Sequence, residues 1–246
     1  MASGFSFHVG THGKTSGAIY RAADPVAQAT LVLAHGAGAP RTHPFMTSMA
    51  ARIAKKGVDV VTFNFLYAEA GRKAPDRVEL LEATWRAAIA AVRARGGLPT
   101  EHLVIGGKSM GGRIATHIAA ANEGLVLAGV VLLGYPLHPL GKPKVLRDEI
   151  LRVKLPMLVV QGTRDELGTA SEMKKLLASM PRARVHTIEG GDHSLALLKR
   201  EGQERQESEL DAAAAEIASF VAGASSKVRT PKRKAMARKP ASEKKR

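Results

Sequence analysis

The sequence predicts an α/β protein with a doubly wound, mostly parallel sheet. Short apolar runs of strand length alternate along the chain with segments of helical periodicity, the order expected when helices cover both faces of a parallel sheet. The apolar runs are continuous rather than alternating, as in strands that are buried on both faces. Loops rich in glycine follow several runs, for example Gly36–Gly38 after Thr30–Ala34. In such sheets, functional sites lie beyond the carboxyl ends of the strands.

In the first half of the chain, residues 1–29 are ambiguous apart from one short candidate strand. The later strands are apolar runs that end in polar or glycine-rich loops. One helix is marked by a proline in its first turn, and the next by an apolar stripe at spacings of three and four that includes Trp85, which we expect in the core. In order, these elements are strand Ala18–Arg21, strand Thr30–Ala34, helix Pro44–Gly57, strand Val58–Phe63 and helix Asp76–Arg95.

The second half repeats the alternation without an internal repeat in the sequence. Serine is a favoured N-cap residue, and Ser171 is predicted to cap the helix that it precedes. The expected elements are strand Leu103–Ile105, helix Arg113–Ala121, strand Val126–Leu133, a short helix Val145–Arg152, strand Met157–Gln161, helix Ser171–Met180, strand Arg184–Ile188 and helix Leu210–Val221.

Composition limits the class of protein. The chain has 246 residues, 45% apolar and 24% charged, which is sufficient for a large core and excludes a wholly disordered chain. It contains no cysteine, which excludes disulfides, thiolate metal sites and a cysteine nucleophile. We find neither a secretory signal nor an apolar run long enough to span a membrane, so a soluble cytoplasmic protein is expected.

The positive charge is concentrated at the C-terminus. Residues 225–246 contain ten Lys or Arg and one acid, a net +9 of the chain's +15. We therefore predict a folded domain at residues 1–224 and a disordered basic tail at residues 225–246. Nucleic acid or another polyanion can neutralise such a tail without sequence preference; the alternative is a solvated tail with no dedicated partner.

The stretch Gly107-Lys108-Ser109-Met110-Gly111 fits the pattern G-x-S-x-G between a predicted strand and a predicted helix. In that setting a sharp turn exposes the serine hydroxyl, and neighbours without side chains let the strand and helix approach each other. The N–H of Met110, at the start of the helix, can then stabilise a developing oxyanion. The alternative is a glycine-rich turn with an incidental serine.

A serine nucleophile needs a base within hydrogen-bond reach and an acid that orients the base. The order Ser109, Asp165, His193 is the order expected of this architecture. His193 lies in a Gly-Gly-Asp-His-Ser loop after the last predicted strand, a position that the other eight histidines lack. Asp165 directly follows a strand; Glu166 and Asp192 are the competing acids.

The loop after the first buried strand, His35-Gly36-Ala37-Gly38, is the expected source of a second oxyanion donor. We expect that donor to be the N–H of Ala37, with that of Gly38 as the alternative, while His35 holds the loop. Three cations near these motifs are expected on the surface, with recognition of an anionic acyl group as the alternative: Lys108, Arg113 and Arg164.

Four segments together resemble the α/β-hydrolase superfamily: LAHGAGAP, GGKSMGGR, QGTRDELG and GGDHSL. With LLGYPLHPLGKPKVLRDEIL, they resemble a branch that includes testis-expressed protein thirty and the hydrolase-like subunit of the non-specific-lethal acetyltransferase complex. The chain is also loosely similar to dienelactone hydrolases, which usually have a cysteine where Ser109 stands. The resemblance covers residues 15–222, excludes the basic tail, and implies an eight-stranded core with Ser109 as nucleophile, Asp165 as acid and His193 as base.

The resulting hypothesis is a serine hydrolase that cleaves a carboxylic ester or thioester through an acyl-enzyme on Ser109, with no metal or organic cofactor. The segment between Leu133 and Met157 is short, so we expect no large cap domain and an open, shallow site. The alternative is a binding or scaffolding protein that uses a hydrolase fold with little turnover, its tail contacting nucleic acid.

Overall fold

An eight-stranded sheet organises residues 2–121, 123–142 and 144–227, which are the residues that this computed structural model describes. The strands are β1 Ser3–His8, β2 Lys14–Tyr20, β3 Thr30–Ala34, β4 Asp59–Phe63, β5 Leu103–Lys108, β6 Leu127–Leu133, β7 Met157–Gly162 and β8 Ala183–Ile188. The helices are α1 Pro44–Lys55, α2 Leu66–Glu69, α3 Val78–Arg93, α4 Met110–Ala121, α5 Ala170–Leu176 and α6 Gln203–Lys227, with short 3-10 turns at Asp148–Arg152, Leu177–Ser179 and Lys199–Glu201.

The strand order is β1-β2-β4-β3-β5-β6-β7-β8. The pairs β1/β2 and β2/β4 are antiparallel, and all strands from β4 to β8 are parallel. This confirms the predicted doubly wound, mostly parallel sheet. Strand β4, which follows β3 in the chain, lies on one side of β3 in the sheet, and β5, which comes next, lies on the other side. The loops after β3 and β5 therefore separate at a switch point, the place where such sheets bind ligands.

Helices cover both faces of the sheet and divide the core into two layers. Along β5 the side chains alternate, so that Ile105 packs on the face covered by α3 and α4, and Val104 on the face covered by α1 and α6. Trp85 of α3 is fully buried and meets the ring of Phe63 edge-on at 4.8 Å. Its indole Nε1 also donates to Gly111 O at 3.3 Å, so the core residue predicted from periodicity touches the serine turn as well.

Several elements differ from the sequence-based expectation. Strand β1 was not expected, because Phe7 is its one buried side chain and an exposed antiparallel edge strand carries no apolar run. The prediction that Ser171 caps a helix is wrong. Thr169 is the N-cap of α5, and with Glu172 it forms a capping box in which each side chain bonds the other residue's backbone N–H. The predicted helix at Val145–Arg152 is reduced to a 3-10 turn.

The connection from β6 to β7 determines how open the carboxyl edge of the sheet is. In its described part, residues 134–142 and 144–156, the only helical element is the 3-10 turn at Asp148–Arg152. The expected absence of a large cap is therefore confirmed, and the loops after β3, β5, β7 and β8 remain accessible.

At the C-terminus, α6 continues to Lys227. Residues 228–246, most of the predicted basic tail, lie outside the described residues, so the boundary at residue 224 and the disorder of the tail stay predictions. Within the described part of the chain, no helix combines the length and apolar character needed to cross a bilayer.

Candidate active site

Ser109 lies in the tight turn that joins β5 to α4. Its φ of +49° is a backbone conformation that residues with a side chain rarely adopt. Its N–H donates to Leu133 O at 3.0 Å, and its carbonyl accepts from Arg113 N at 2.9 Å. The strand on one side and the helix on the other thus hold a conformation that typically costs about 1–3 kcal/mol.

The glycines of the turn are required by close backbone contacts. A Cβ on Gly107 would lie 2.4 Å from Ala34 O, and a Cβ on Gly111 would lie 2.5 Å from His35 O. Both distances are far below van der Waals contact, so a side chain at either position would push the serine turn away from the end of β3. The glycines therefore bring Ser109 against the loop that follows β3.

The structure brings Ser109, His193 and Asp165 together at the carboxyl edge of the sheet. The Oγ of Ser109 is 2.9 Å from Nε2 of His193. On the other side of the imidazole, Nδ1 is 2.9 Å from Oδ2 and 3.0 Å from Oδ1 of Asp165. With the proton on Nδ1, the imidazole donates to the carboxylate and accepts from the serine hydroxyl, which is the arrangement a general base needs.

The carboxylate of Asp165 is fully buried and well hydrogen-bonded. Besides His193, Oδ1 accepts from Leu167 N at 2.8 Å and Oδ2 accepts from Gln161 Nε2 at 2.8 Å. The Gln161 amide also bonds the backbone N–H and C=O of Tyr135. Sequence analysis missed Gln161; its one signal is a polar residue at the end of an otherwise apolar strand.

The two competing acids have other positions. Asp192 caps its own loop, where its Oδ1 accepts from Ser194 N at 2.7 Å and from Ala196 N at 2.9 Å. Glu166 is exposed. In the Asp192 turn, Leu195 is fully buried and has a φ of +63°, a second strained residue. A rigid turn of this kind restricts where the adjacent imidazole of His193 can lie.

The loop after β3 supplies backbone N–H groups beside Ser109. A Cβ built on Gly36 would lie 3.6 Å from the Cβ of Ser109, so the loop passes directly beside the serine. Among the described residues, the N–H of Ala37 donates to no other group, and the N–H of Met110 is the first of α4, so it has no partner within the helix. The hydroxyl of Tyr67 donates to Gly36 O at 3.3 Å, which ties this loop to α2. In the part of the chain that the structure describes, the N–H groups of Ala37 and Met110 are thus left without a hydrogen-bond partner.

His35 holds this loop rather than facing solvent. It is fully buried, its Nδ1 donates to Gly36 O at 2.8 Å, and its Nε2 accepts from Phe65 N at 3.1 Å. Burial lowers the pKa of His35 to about 4, so the imidazole is neutral at pH 7 and keeps the tautomer that these two bonds require. These are the contacts of a residue with the structural role expected from the sequence.

Two of the three cations that we expected on the surface are partly enclosed. Arg113 forms an ion pair with Glu149, with 2.5 Å between Nε and Oε1. The Nζ of Lys108, which is half-buried, donates to the backbone carbonyl of His193 at 2.7 Å. Arg164 is exposed, and its guanidinium donates to Gly190 O at 2.9 Å. The expectation of a surface position was correct for Arg164 only.

A shallow cleft of about 390 Å³ opens beside His193. Its rim combines apolar and charged groups, and its lining consists of Leu140, Arg164, Glu166, Leu167, Asp192, His193 and Ser194. Leu140, which is 71% exposed, contributes an apolar surface to this lining. The cleft therefore leaves open space next to the imidazole of His193.

Comparison with known proteins agrees with this architecture. A family model described as an alpha/beta hydrolase domain matches residues 27–222. A serine hydrolase without a lid from Xanthomonas campestris superposes with a TM-score of 0.66 at 20% identity, over 87% of this chain and 92% of that one. An alpha-beta serine hydrolase homologue from Coxiella burnetii gives 0.67 at 17% identity, over 87% and 96%. A dienelactone hydrolase from Anabaena variabilis gives 0.66 at 18% identity, over 87% and 95%.

Proposed function

The chain belongs to the alpha/beta hydrolase domain family, and on that premise we propose that it is a serine hydrolase that cleaves a carboxylic ester or thioester. The observation that carries this proposal is the continuous hydrogen-bonded chain from the Oγ of Ser109 through both ring nitrogens of His193 to the buried carboxylate of Asp165. A serine at this turn also argues against dehalogenase chemistry, which needs a carboxylate there.

In the proposed acylation step, the Oγ of Ser109 attacks the substrate carbonyl while Nε2 of His193 takes the hydroxyl proton. The N–H groups of Ala37 and Met110 donate to the resulting oxyanion. The imidazolium then gives its proton to the departing alcohol or thiol, and an acyl ester on Ser109 remains. Throughout, Asp165 accepts from Nδ1 of His193, which fixes the ring and stabilises its positive charge.

Deacylation follows the same path with water as the nucleophile. Nε2 of His193 removes a proton from the water, the hydroxide adds to the acyl carbonyl, and the second tetrahedral intermediate collapses with return of the proton to Ser109. Apart from water, the steps use only side chains and backbone N–H groups of this chain. The open cleft beside His193 supports small or exposed acyl groups as substrates.

The test is covalent labelling of the intact protein with a fluorophosphonate probe. We expect the wild type to be labelled and Ser109→Ala to be unlabelled, with Glu101→Gln as a matched control at an exposed carboxylate outside the cleft. Turnover of a panel of p-nitrophenyl esters and acyl thioesters should disappear in His193→Ala. A folded wild type that is neither labelled nor active on the panel would refute the proposal and leave the binding or scaffolding role.

Binding of a polyanion by the basic tail is a separate proposal. Residues 228–246 contain nine Lys or Arg and one Glu, and they include no aromatic residue on which a base can stack. We therefore propose that any contact with nucleic acid is electrostatic and independent of base sequence.

A further inference from the structure

Lys108 is the residue immediately before Ser109, yet its amine is directed to the loop of the histidine. Its Nζ donates to the backbone carbonyl of His193 at 2.7 Å, a contact between residues 85 apart in the chain. Among the described residues, the amine of Lys108 is the one side-chain group of the serine turn that bonds this carbonyl. Lys108 thus joins the strand end that carries the serine to the loop that carries the imidazole.

Gly134, at the end of β6, leaves the space that this contact occupies. Its φ is +57°, and a Cβ built on it would lie 2.9 Å from Nζ of Lys108 and 2.7 Å from the carbonyl oxygen of His193. Its N–H donates to Val160 O at 2.8 Å, which keeps its backbone against β7. The Lys108–His193 contact therefore depends on the absence of a side chain at Gly134, which directly follows β6.

The amine of Lys108 lies close to the groups that would move a proton in the proposed reaction, His193 and Asp165. Burial lowers the pKa of its amine to about 8, although the carboxylates of Asp165 and Asp192 act in the opposite direction and favour the ammonium. At neutral pH the group is therefore largely an ammonium, and charge-assisted donors bind carbonyl oxygens more strongly than neutral donors do.

We propose that Lys108 is a positioning residue, whose side chain anchors the main-chain carbonyl of His193 and thereby holds the imidazole within reach of Ser109. This inference rests on the proposed function, since it assigns a role in the same reaction. Lys108 does not need to touch the substrate. Its effect is on the distance and alignment between Nε2 and Oγ, to which proton transfer is sensitive.

The first experiment compares Lys108→Met with Lys108→Arg and with Lys154→Met, a matched control at an exposed lysine. With p-nitrophenyl acetate, we expect Lys108→Met to lower kcat by about 10- to 100-fold, the scale of a misplacement near 1 Å, with little change in KM. Lys108→Arg keeps a charged donor and should recover part of the loss.

The second experiment is a double-mutant cycle with Gly134→Ala, whose methyl group would occupy the position of the contact. If both changes act on the same hydrogen bond, the double variant should lose little more activity than the worse single variant, rather than the product of the two losses. Thermal unfolding of each variant identifies any that fail to fold. Fully multiplicative losses among folded variants would count against the inference.

Comparing the wild type with Lys108→Met distinguishes failure of the positioning role from failure of the proposed hydrolase function. If the wild type is active and Lys108→Met shows the same kcat, Lys108 has no positioning role. If the wild type is inactive, the proposed function fails, and the carbonyl ¹³C chemical shift of His193, measured by NMR, still decides the contact. An upfield change of that shift in Lys108→Met would support the contact, and an unchanged shift would overturn it.

Discussion

The side-chain amide of Gln161, the penultimate residue of β7, donates to the buried carboxylate of Asp165 four residues later, with 2.8 Å between Nε2 and Oδ2. The same amide accepts from Tyr135 N at 2.8 Å and donates to Gly168 O at 2.6 Å. One buried side chain therefore connects the end of β6, the end of β7 and the acid that faces His193. The position of Asp165 depends on this connection as much as on its own backbone.

Replacing Gln161 with methionine should damage both stability and activity. The change keeps the volume but leaves the buried N–H of Tyr135 and the buried carbonyl of Gly168 without partners, which costs about 1–3 kcal/mol for each group. We expect Gln161→Met to lose about 2–4 kcal/mol of unfolding free energy in urea and to show a reduced kcat. Glu101→Gln, at an exposed carboxylate outside the cleft, is the surface control. Wild-type stability in Gln161→Met would contradict the assigned network.

The two neighbouring aspartates should respond differently to the same substitution. Asp165→Asn replaces the acceptor of His193 Nδ1–H by an amide that can favour the wrong tautomer, and we expect kcat to fall by about 10³- to 10⁴-fold. Asp192→Asn retains an oxygen for the N–H groups of Ser194 and Ala196, so its kcat should stay close to wild type. Equal losses in the two variants, measured with one ester substrate, would refute the assignment of Asp165.

His35 should make stability depend on pH in mildly acidic solution. Its pKa is lowered to about 4 in the folded state, below its ordinary value of 6.5, so between these values the unfolded chain binds more protons. The stabilising contribution is therefore complete above pH 6.5 and decreases as the pH falls towards 4, by up to about 1.4 kcal/mol per pH unit.

Urea unfolding at several pH values checks this expectation. His35→Gln removes the titrating group and should flatten the dependence between pH 4 and 6.5, whatever its effect on absolute stability. His12→Gln, at an exposed histidine, should leave the slope unchanged. A slope that persists in His35→Gln would assign the pH dependence to other groups.

Truncation after Lys227 tests the basic tail while keeping α6 whole. Titration of a DNA duplex at two salt concentrations should show binding by the full chain that weakens strongly with salt, because released counterions drive the association. The truncated chain should bind much more weakly, and esterase activity should be the same in both. Equal binding by the two forms would exclude the tail as the contact.

Much of the fold was predictable from the sequence, because its determinants are local. Strand β3 begins and ends where a continuous apolar run does, and the stripe along α3 follows from helical periodicity. The serine turn was predictable because backbone sterics require glycine at Gly107 and Gly111. Strand β1 was not, since an exposed edge strand needs few apolar residues. Membership of the narrower branch of relatives stays a prediction.

The sequence by itself determined the class of fold, the turn that carries Ser109 and the chain order of the three candidate residues. Only the tertiary structure decided which acid faces His193, that Gln161 holds this acid, and that Lys108 is bonded to the histidine's carbonyl. The physical reason is that these contacts join strand ends that are far apart in the chain. Their geometry depends on how neighbouring strands align in the sheet, which no local pattern of residues encodes.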